Sequence, residues 1–344
     1  MNNILITGAA GFIGFHLAKF HQEKGDKVFI LDNFFKTKSK DKEFLSLIKK
    51  KKFFFKNKIK NKKFLNFKKK KNVFFYNADL TEKIKLDKLK TKKFDTVYHL
   101  AAINGTSLFY KIPYQVFTSN IKMTMNLLDW LKNKKINNLI YSSSSEVYSQ
   151  SYYLKLIKIP TDENALITFK TPIGDRMSYG LSKFFGEFLV SSFMRNNNIR
   201  GCTVRFHNIY GPRMGSKHVI PELINRIKKS KKELKIFGGK QTRAFCFIDD
   251  TVNYLYLLSN KKKYNFDLYH IGHSKGEIKI INLVKKILDL MNKDLKIKDY
   301  GEPPDSVTRR CPNTNRIIKE TKYKPRTSLS DGLLQTMKWY LNVK

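Results

Sequence analysis

The 344-residue sequence predicts an α/β fold, a doubly wound parallel sheet joined to a smaller C-terminal domain. Short apolar runs recur at 4–7 (ILIT), 27–32 (KVFILD), 72–79 (NVFFYNAD), 96–102 (TVYHLAA), 137–144 (NNLIYSSS) and 202–208 (CTVRFHN). Helix-compatible stretches separate them, as parallel neighbours require, since only a crossover can return the chain to the same end of the sheet. A glycine-spaced turn follows the first run directly, at the strand end where such sheets bind ligands.

Composition sets the outer limits. A hydrophobic share of 41% is ample for a buried core, so global disorder is excluded. Three widely spaced cysteines, Cys202, Cys246 and Cys311, form no CxxC pair, which argues against a disulfide framework or a zinc site and for a reducing cytoplasm. Met1 leads straight into an apolar strand pattern, and no run of apolar residues is long enough to span a bilayer, so a protein neither secreted nor membrane-spanning is expected. The formal charge of +40 draws in anionic ligands. Lysine, asparagine, phenylalanine and isoleucine are abundant together, so the charge reads as a solvated basic surface, and nucleic acid is not the expected partner.

The first strand ends in TGAAGFIG (7–14), with Gly8, Gly11 and Gly14 opening a helix. In a Rossmann-type turn the first glycine permits the bend, the second admits a pyrophosphate to the backbone amides, and the third allows close helix packing. The second strand ends at Asp32, whose carboxylate can accept both ribose hydroxyls and would repel the 2′-phosphate of NADP; NAD is therefore the expected cofactor. Asp79, closing the third strand, suits either an adenine amine or a turn.

Between these strands, residues 36–71 carry seventeen lysines against Asp41 and Glu43, with Phe53, Phe54, Phe55, Phe64 and Phe67 interleaved. The spacing predicts a short helix burying Phe44, Leu47 and Ile48; the rest reads as a surface insertion, with a grip on single-stranded nucleic acid or an anionic bilayer as the minority reading.

The fifth strand ends in SSSSEVYS (142–149), where four hydroxyls and a carboxylate at a buried strand end need a use. SYGLSK (178–183) follows, placing Tyr179 and Lys183 four residues apart on one helix face. A tyrosine acting as a base near pH 7 needs roughly 4 kcal/mol of differential stabilisation, which a nearby ammonium and an oxidised nicotinamide can supply. Ser144 is placed to hold the hydroxyl that loses its proton. Farther on, helices are expected through TVNYLYLLSN (251–260) and near 278–292 and 329–341, with a strand at DLYHIG (267–272).

Together TGAAGFIG, Asp32, YHLAA, SSSSEVY, YGLSK, RFHNIYGPRM, HVIPELI and QTRAFCFIDD resemble the extended short-chain dehydrogenase/reductases, specifically the NAD-dependent nucleotide-sugar epimerases and dehydratases. The resemblance implies a dinucleotide-binding domain over 1–206 and a nucleotide-sugar domain over 207–344, with about 244–260 returning to the first. It implies that Gly8, Gly11, Phe12, Ile13, Gly14, Asp32, Asn33, Asp79, Leu80, Ala101 and Ala102 line the NAD site together with Tyr179 and Lys183. Tyr179 then takes the proton from a sugar C4 hydroxyl while hydride passes to NAD, with Ser144 assisting. Ser145, Asn208, Val219 and Arg243 match positions that contact the sugar nucleotide; for Arg213 and His207 structural and functional roles stay equally open.

Glu146 separates the outcomes. A carboxylate beside a 4-keto sugar can remove the C5 proton and drive loss of water, which tilts the expectation toward dehydration. Ser144-Ser145-Glu146 resembles the Thr-Ser-Glu of GDP-mannose dehydratases and of UDP-glucuronate decarboxylases, and Ser145 stands where dTDP-glucose dehydratases carry aspartate. Epimerisation and decarboxylation therefore stay open, as does a different class, a non-catalytic NAD-binding or polyanion-binding protein. The family resemblance further implies a homodimer through helices near 115–132 and 178–196.

Overall fold

The structure, a computed structural model, describes residues 1–35, 41–48, 72–84, 89, 91–264, 267–302 and 307–342. Most of the basic stretch 36–71 lies outside these residues; within it, the expected helix runs Lys42–Ile48 and buries Phe44, Leu47 and Ile48.

A seven-stranded parallel sheet forms from β1 (Asn3–Thr7), β2 (Lys27–Asp32), β3 (Val73–Asn77), β4 (Lys93–His99), β5 (Lys135–Ser144), β6 (Arg200–Phe206) and β7 (Leu268–Ile271), in the order β7-β6-β5-β4-β1-β2-β3. The order reverses direction beside β1, so the glycine turn after β1 opens where helices leave for opposite faces. Two strand ends differ from the sequence pattern for local reasons. β4 stops at His99 because the Thr7 hydroxyl accepts the Leu100 and Ala101 amides at 3.2 and 3.1 Å, leaving Ala101 and Ala102 in the loop beyond it. β6 stops at Phe206, just before Asn208 turns to φ +43.

Register aligns the carboxyl ends of the central strands. Thr7 pairs with His99 and His99 with Tyr141, so the three side chains project from one face in a row. Helices α1 (Phe12–Glu23), α2 (Pro113–Leu131) and α3 (Met177–Asn196) provide the layers. Pro113 occupies the first turn of α2, where its missing amide has no intrahelical partner to lose.

The chain divides into two compact units. The first comprises Met1–Ser142, Leu181–Thr203 and Lys261–Asp267; the second comprises Ser143–Gly180, Val204–Asn260 and Leu268–Lys344. Unit 1 has a continuous core of Leu5, Phe29, Leu31, Val97, Leu127, Leu139, Val190 and their neighbours. In unit 2, helix α4 (Val219–Lys229) buries Ile220, Leu223, Ile224 and Ile227 on one face. The strand Thr242–Ala244 lies between Glu277–Lys279 and Arg309–Arg310, pairing parallel with the latter, and this register sets Arg310 directly beside Arg243. Among the described residues no helix is long and apolar enough to cross a membrane.

Candidate active site

Unit 1 carries the dinucleotide turn. Gly8 adopts φ +74, and a Cβ there would come within 2.8 Å of the Ala101 backbone. At Gly14 a Cβ would meet the Gly8 carbonyl oxygen at 2.5 Å, so the third glycine is what lets α1 lie against the turn. Gly11 caps α1 without a side-chain hydrogen bond, and no acidic residue occupies the first turn. The helix start therefore presents amides and a partial positive charge, with Phe12 and Ile13 following in its first turn.

Asp32 ends β2 and accepts the Ala10 amide at 2.9 Å and the Phe34 amide at 2.7 Å, tying the glycine turn to the loop after β2. Burial pushes its carboxyl up, while three backbone hydrogen bonds pull down and recover part of the shift. Asn33 accepts the Phe35 amide at 3.0 Å. Asp79 accepts the Thr81 amide at 2.9 Å and the Thr81 hydroxyl at 2.7 Å, and so organises a turn; Leu80 is buried, with its carbonyl bonded by Asn126. The close-approach glycines, the uncapped helix start and the strand-end carboxylate fit a dinucleotide.

Lys183, on the unit 1 part of α3, is buried and donates to the Ser142 carbonyl at 2.7 Å. Tyr179 lies four residues earlier on the same helix, hence on the same face.

In unit 2 the serine-rich strand end becomes a capped turn. Ser144 caps the 3-10 turn Ser145–Tyr148, its hydroxyl accepting the Glu146 amide at 3.2 Å. Gly180 explains how close α3 comes: a Cβ there would lie 2.6 Å from the Glu146 carbonyl oxygen. Tyr179 is buried beside this turn and hydrogen-bonded to Ser144. Burial pushes its phenol up and the Glu146 charge pushes the same way, while the Ser144 bond pulls down. Ser145 is also buried.

Glu146 sits among arginines. Its Oε1 accepts from Arg310 at 2.5 Å and its Oε2 pairs with Arg176 at 3.3 Å. Burial alone raises a carboxyl, but Arg310, Arg176 and Arg243 outweigh it and hold Glu146 down at about 2. Arg243 donates to Thr242 O at 2.7 Å and to Gln241 Oε1 at 2.9 Å; burial and the Arg310 charge lower its guanidinium to about 10. Three guanidinium groups around one carboxylate leave positive charge over, and adjacent like charges are unfavourable unless an anion joins them.

Asn208 takes φ +43, donates to Ala244 O at 3.4 Å and accepts the Cys246 amide at 3.2 Å. Val219 opens α4 and lines a cavity of about 560 Å³ with Glu222, Arg226, Phe237, Ile280 and Tyr300. Arg213 adopts φ +69 in the turn after Tyr210. His207 is fully buried, and neither ring nitrogen finds a hydrogen-bond partner among the described residues.

Arg176 and Arg310 are the residues that sequence reasoning passed over. Arg176 had a usable signal, standing three residues before Tyr179 and just ahead of the helix that carries it. Arg310 had none: it is 164 residues from Glu146.

A match to the NAD dependent epimerase/dehydratase family spans residues 4–272. The UDP-N-acetyl-alpha-D-glucosaminuronate decarboxylase of Bacillus cytotoxicus is 29% identical, over 99% of this chain and 98% of that protein. UDP-glucuronic acid decarboxylase 6 of Arabidopsis thaliana is 28% identical over 96% of this chain and 86% of its own. Among solved structures, UDP-glucuronic acid 4-epimerase from Bacillus cereus, in complex with UDP-glucuronic acid and NAD, aligns with a TM-score of 0.79 at 28% identity, covering 98% of this chain and 99% of that one. The glycine turn, the strand-end Asp32 and a family match over most of the chain make this an extended short-chain dehydrogenase/reductase with NAD as its cofactor, and the chain belongs to the NAD dependent epimerase/dehydratase family.

Proposed function

We propose that the protein oxidises C4 of a nucleotide-linked hexuronate and then releases its C6 carboxylate as carbon dioxide. The observation that carries this reading is the arginine set around Glu146: Arg310 and Arg176 in direct contact and Arg243 in register beside Arg310. An uncharged C6 hydroxymethyl group gives that surplus positive charge no partner, whereas a sugar carboxylate does. Relatives that act on UDP-glucuronic acid and UDP-N-acetylglucosaminuronic acid by name support the same substrate class.

Tyr179 takes the C4 hydroxyl proton, with Ser144 holding that oxygen and Lys183 favouring the phenolate. NAD, when bound, accepts the hydride from C4 and later returns it. The 4-keto acid then loses carbon dioxide, the C5–C6 bonding electrons pass into the enolate, and a proton from solvent water adds at C5. Tyr179 finally gives its proton back to the C4 oxygen, so no net oxidation remains. No base is needed at C5 on this route, which suits a Glu146 held near 2 and therefore weakly basic. Dehydration asks Glu146 for the opposite property. The cavity bounded by Val219, Phe237 and Tyr300 suits a nucleobase, with Phe237 and Tyr300 exposed to stack on it.

Incubation with UDP-glucuronic acid, UDP-N-acetylglucosaminuronic acid and the matching neutral UDP-sugars, read by mass spectrometry, tests the reading. Turnover confined to the uronates with released carbon dioxide is expected; turnover of the neutral sugars alone overturns it. A second outcome, a C4 epimer of unchanged mass, is favoured by the grip that several arginines exert on a carboxylate, since a held carboxylate resists departure.

We also propose a homodimer through the exposed apolar positions of α2 and α3. Tyr114 is 77% exposed and Phe188 66%, and Phe117 packs edge-on against the half-exposed Phe185. A cytoplasmic enzyme fits the three free cysteines, all buried.

A further inference from the structure

Lys183 is held from below by more than a carbonyl. Its ammonium stands 4.9 Å from the centroid of the Tyr141 ring, and both residues are buried. Tyr141 is the next residue back from Ser142, whose carbonyl receives the lysine, so the last residues of β5 supply a π face and an oxygen together. The ring is backed in turn by His99, its register neighbour on β4, with centroids 5.6 Å apart. His99 is fixed at both nitrogens, by Thr7 at 2.8 Å and Thr124 at 3.1 Å. Its imidazole is kept neutral by burial and by the lysine charge itself.

Gly186 completes the arrangement from α3. A Cβ at this position would collide with the Tyr141 hydroxyl, so only glycine lets the helix settle with the ring beneath Lys183. A glycine inside a helix is unfavourable relative to alanine, which asks for a local reason, and the ring is one.

We propose that Tyr141 is a positioning residue, a cation–π seat that fixes Lys183 at the height on α3 from which its charge favours the Tyr179 phenolate. This rests on the proposed role of Tyr179 as the proton-transferring group. An ammonium stripped of water is held best by partners that cannot themselves move or take its proton. A carbonyl and an aromatic face meet that condition, whereas a carboxylate would cancel the charge that the phenol needs. The turn after β5 brings Ser144, which bonds the phenol, and Glu146, whose charge opposes its ionisation, so the favouring positive charge has to come from Lys183, four residues along the same helix.

The test is the ionisation of Tyr179 in the NAD-loaded protein, followed by ultraviolet difference titration against Tyr179→Phe as the blank. Tyr141→Leu is expected to raise the phenolate midpoint by about one pH unit, with about a tenfold loss of kcat near pH 7 and an unchanged KM. Tyr141→Phe keeps the wild-type midpoint, because the ring stays. Replacing Tyr141 by mono-, di- and trifluorinated phenylalanine preserves shape while draining the π face, and the midpoint should climb in step with fluorination. A wild-type midpoint in Tyr141→Leu, or a flat fluorination series, overturns the seat. The titration needs no sugar substrate, so its outcome is separate from that of the functional reading, which fails instead if Tyr179→Phe retains turnover of UDP-glucuronic acid.

Discussion

Glu146 and Arg310 stand 164 residues apart in the chain, and their side chains meet at 2.5 Å. The contact makes the end of β5 dependent on the last third of the sequence. It also stores a measurable acid sensitivity. Glu146 is held at about 2 in the folded protein, against about 4.3 for an unfolded glutamate. Because the folded value is the lower one, the stabilisation is complete above about pH 5 and is lost as the pH falls toward 2. It amounts to about 3 kcal/mol. In urea unfolding across pH 5 to 2.5, Glu146→Gln should lack this part of the wild-type decline. Arg310→Met should destabilise by about 3 kcal/mol at pH 7, since it removes the shortest contact of a largely buried carboxylate and leaves it Arg176 at 3.3 Å and the more distant charge of Arg243. Equal acid slopes in wild type and Glu146→Gln would show that the pair contributes nothing to stability.

The buried histidines work in a higher pH window. His207 is pushed down to about 3 by burial and by the Arg310 and Arg205 charges, and His270, its ring tilted against it at 4.4 Å, is pushed well below its ordinary value. Here the unfolded imidazole takes up a proton below about pH 6.5 while the folded one does not, so stability is full above that pH and falls beneath it. Each such histidine removes about 2 kcal/mol by pH 5. His207 has no hydrogen-bond partner to lose among the described residues, so His207→Phe should unfold less readily than wild type at pH 5 and about equally at pH 7. Calorimetry at the two pH values decides it; a variant less stable at both would assign the ring an indispensable polar contact.

Asp32 ties two loops together, and we propose that its remaining lone pairs receive a ribose. Asp32→Ala frees the Ala10 and Phe34 amides and removes the charge that repels a 2′-phosphate. NAD affinity, measured by calorimetric titration of the refolded apoprotein, is expected to fall about tenfold to a hundredfold, with the preference over NADP narrowing by a similar factor. Unchanged discrimination would mean that another group reads the ribose.

Much of this was legible before any coordinate, and the boundary between what was and what was not is physical. TGAAGFIG, Asp32, SSSSEVYS and SYGLSK are local: each is read within one strand and its neighbouring turn, and glycine spacing or helical periodicity carries the meaning. The same locality gave β1 to β3 and the Lys42–Ile48 helix. Glu146 was visible as a carboxylate in place, but its basicity belongs to Arg310, which only the pairing of Arg309–Arg310 with Thr242–Ala244 brings close. The role of Gly186 was equally hidden, since nothing near it in sequence announces the Tyr141 ring.

Gly180 links the two motifs that sequence reading found separately. With its Cβ position 2.6 Å from the Glu146 carbonyl oxygen, Gly180→Ala must lift α3 off the turn or rotate it. Displacing Tyr179 from Ser144 by even an ångström is expected to lower kcat about a hundredfold while the protein still binds NAD. Turnover kept within threefold of wild type would show that the turn yields more easily than its backbone contact suggests.

The apolar positions on α2 and α3 lead to an assembly prediction. Tyr114, Met125, Phe185 and Phe188 are each exposed by 48% or more, on helices that otherwise bury their apolar residues in the unit 1 core. Single exposed aromatics are ordinary, but several on neighbouring helices form the kind of patch that a second surface covers. A net charge of +40 opposes any association, so the apolar contact has to outweigh repulsion, most severely at low salt. Light scattering should therefore give a dimer whose dissociation constant tightens as salt rises, the reverse of an assembly held by ion pairs. Phe188→Glu replaces one of these exposed apolar side chains by a charge and is expected to yield a folded monomer with its unfolding midpoint little changed. A wild-type protein that runs as a monomer at high salt and high concentration would assign the patch to some other contact.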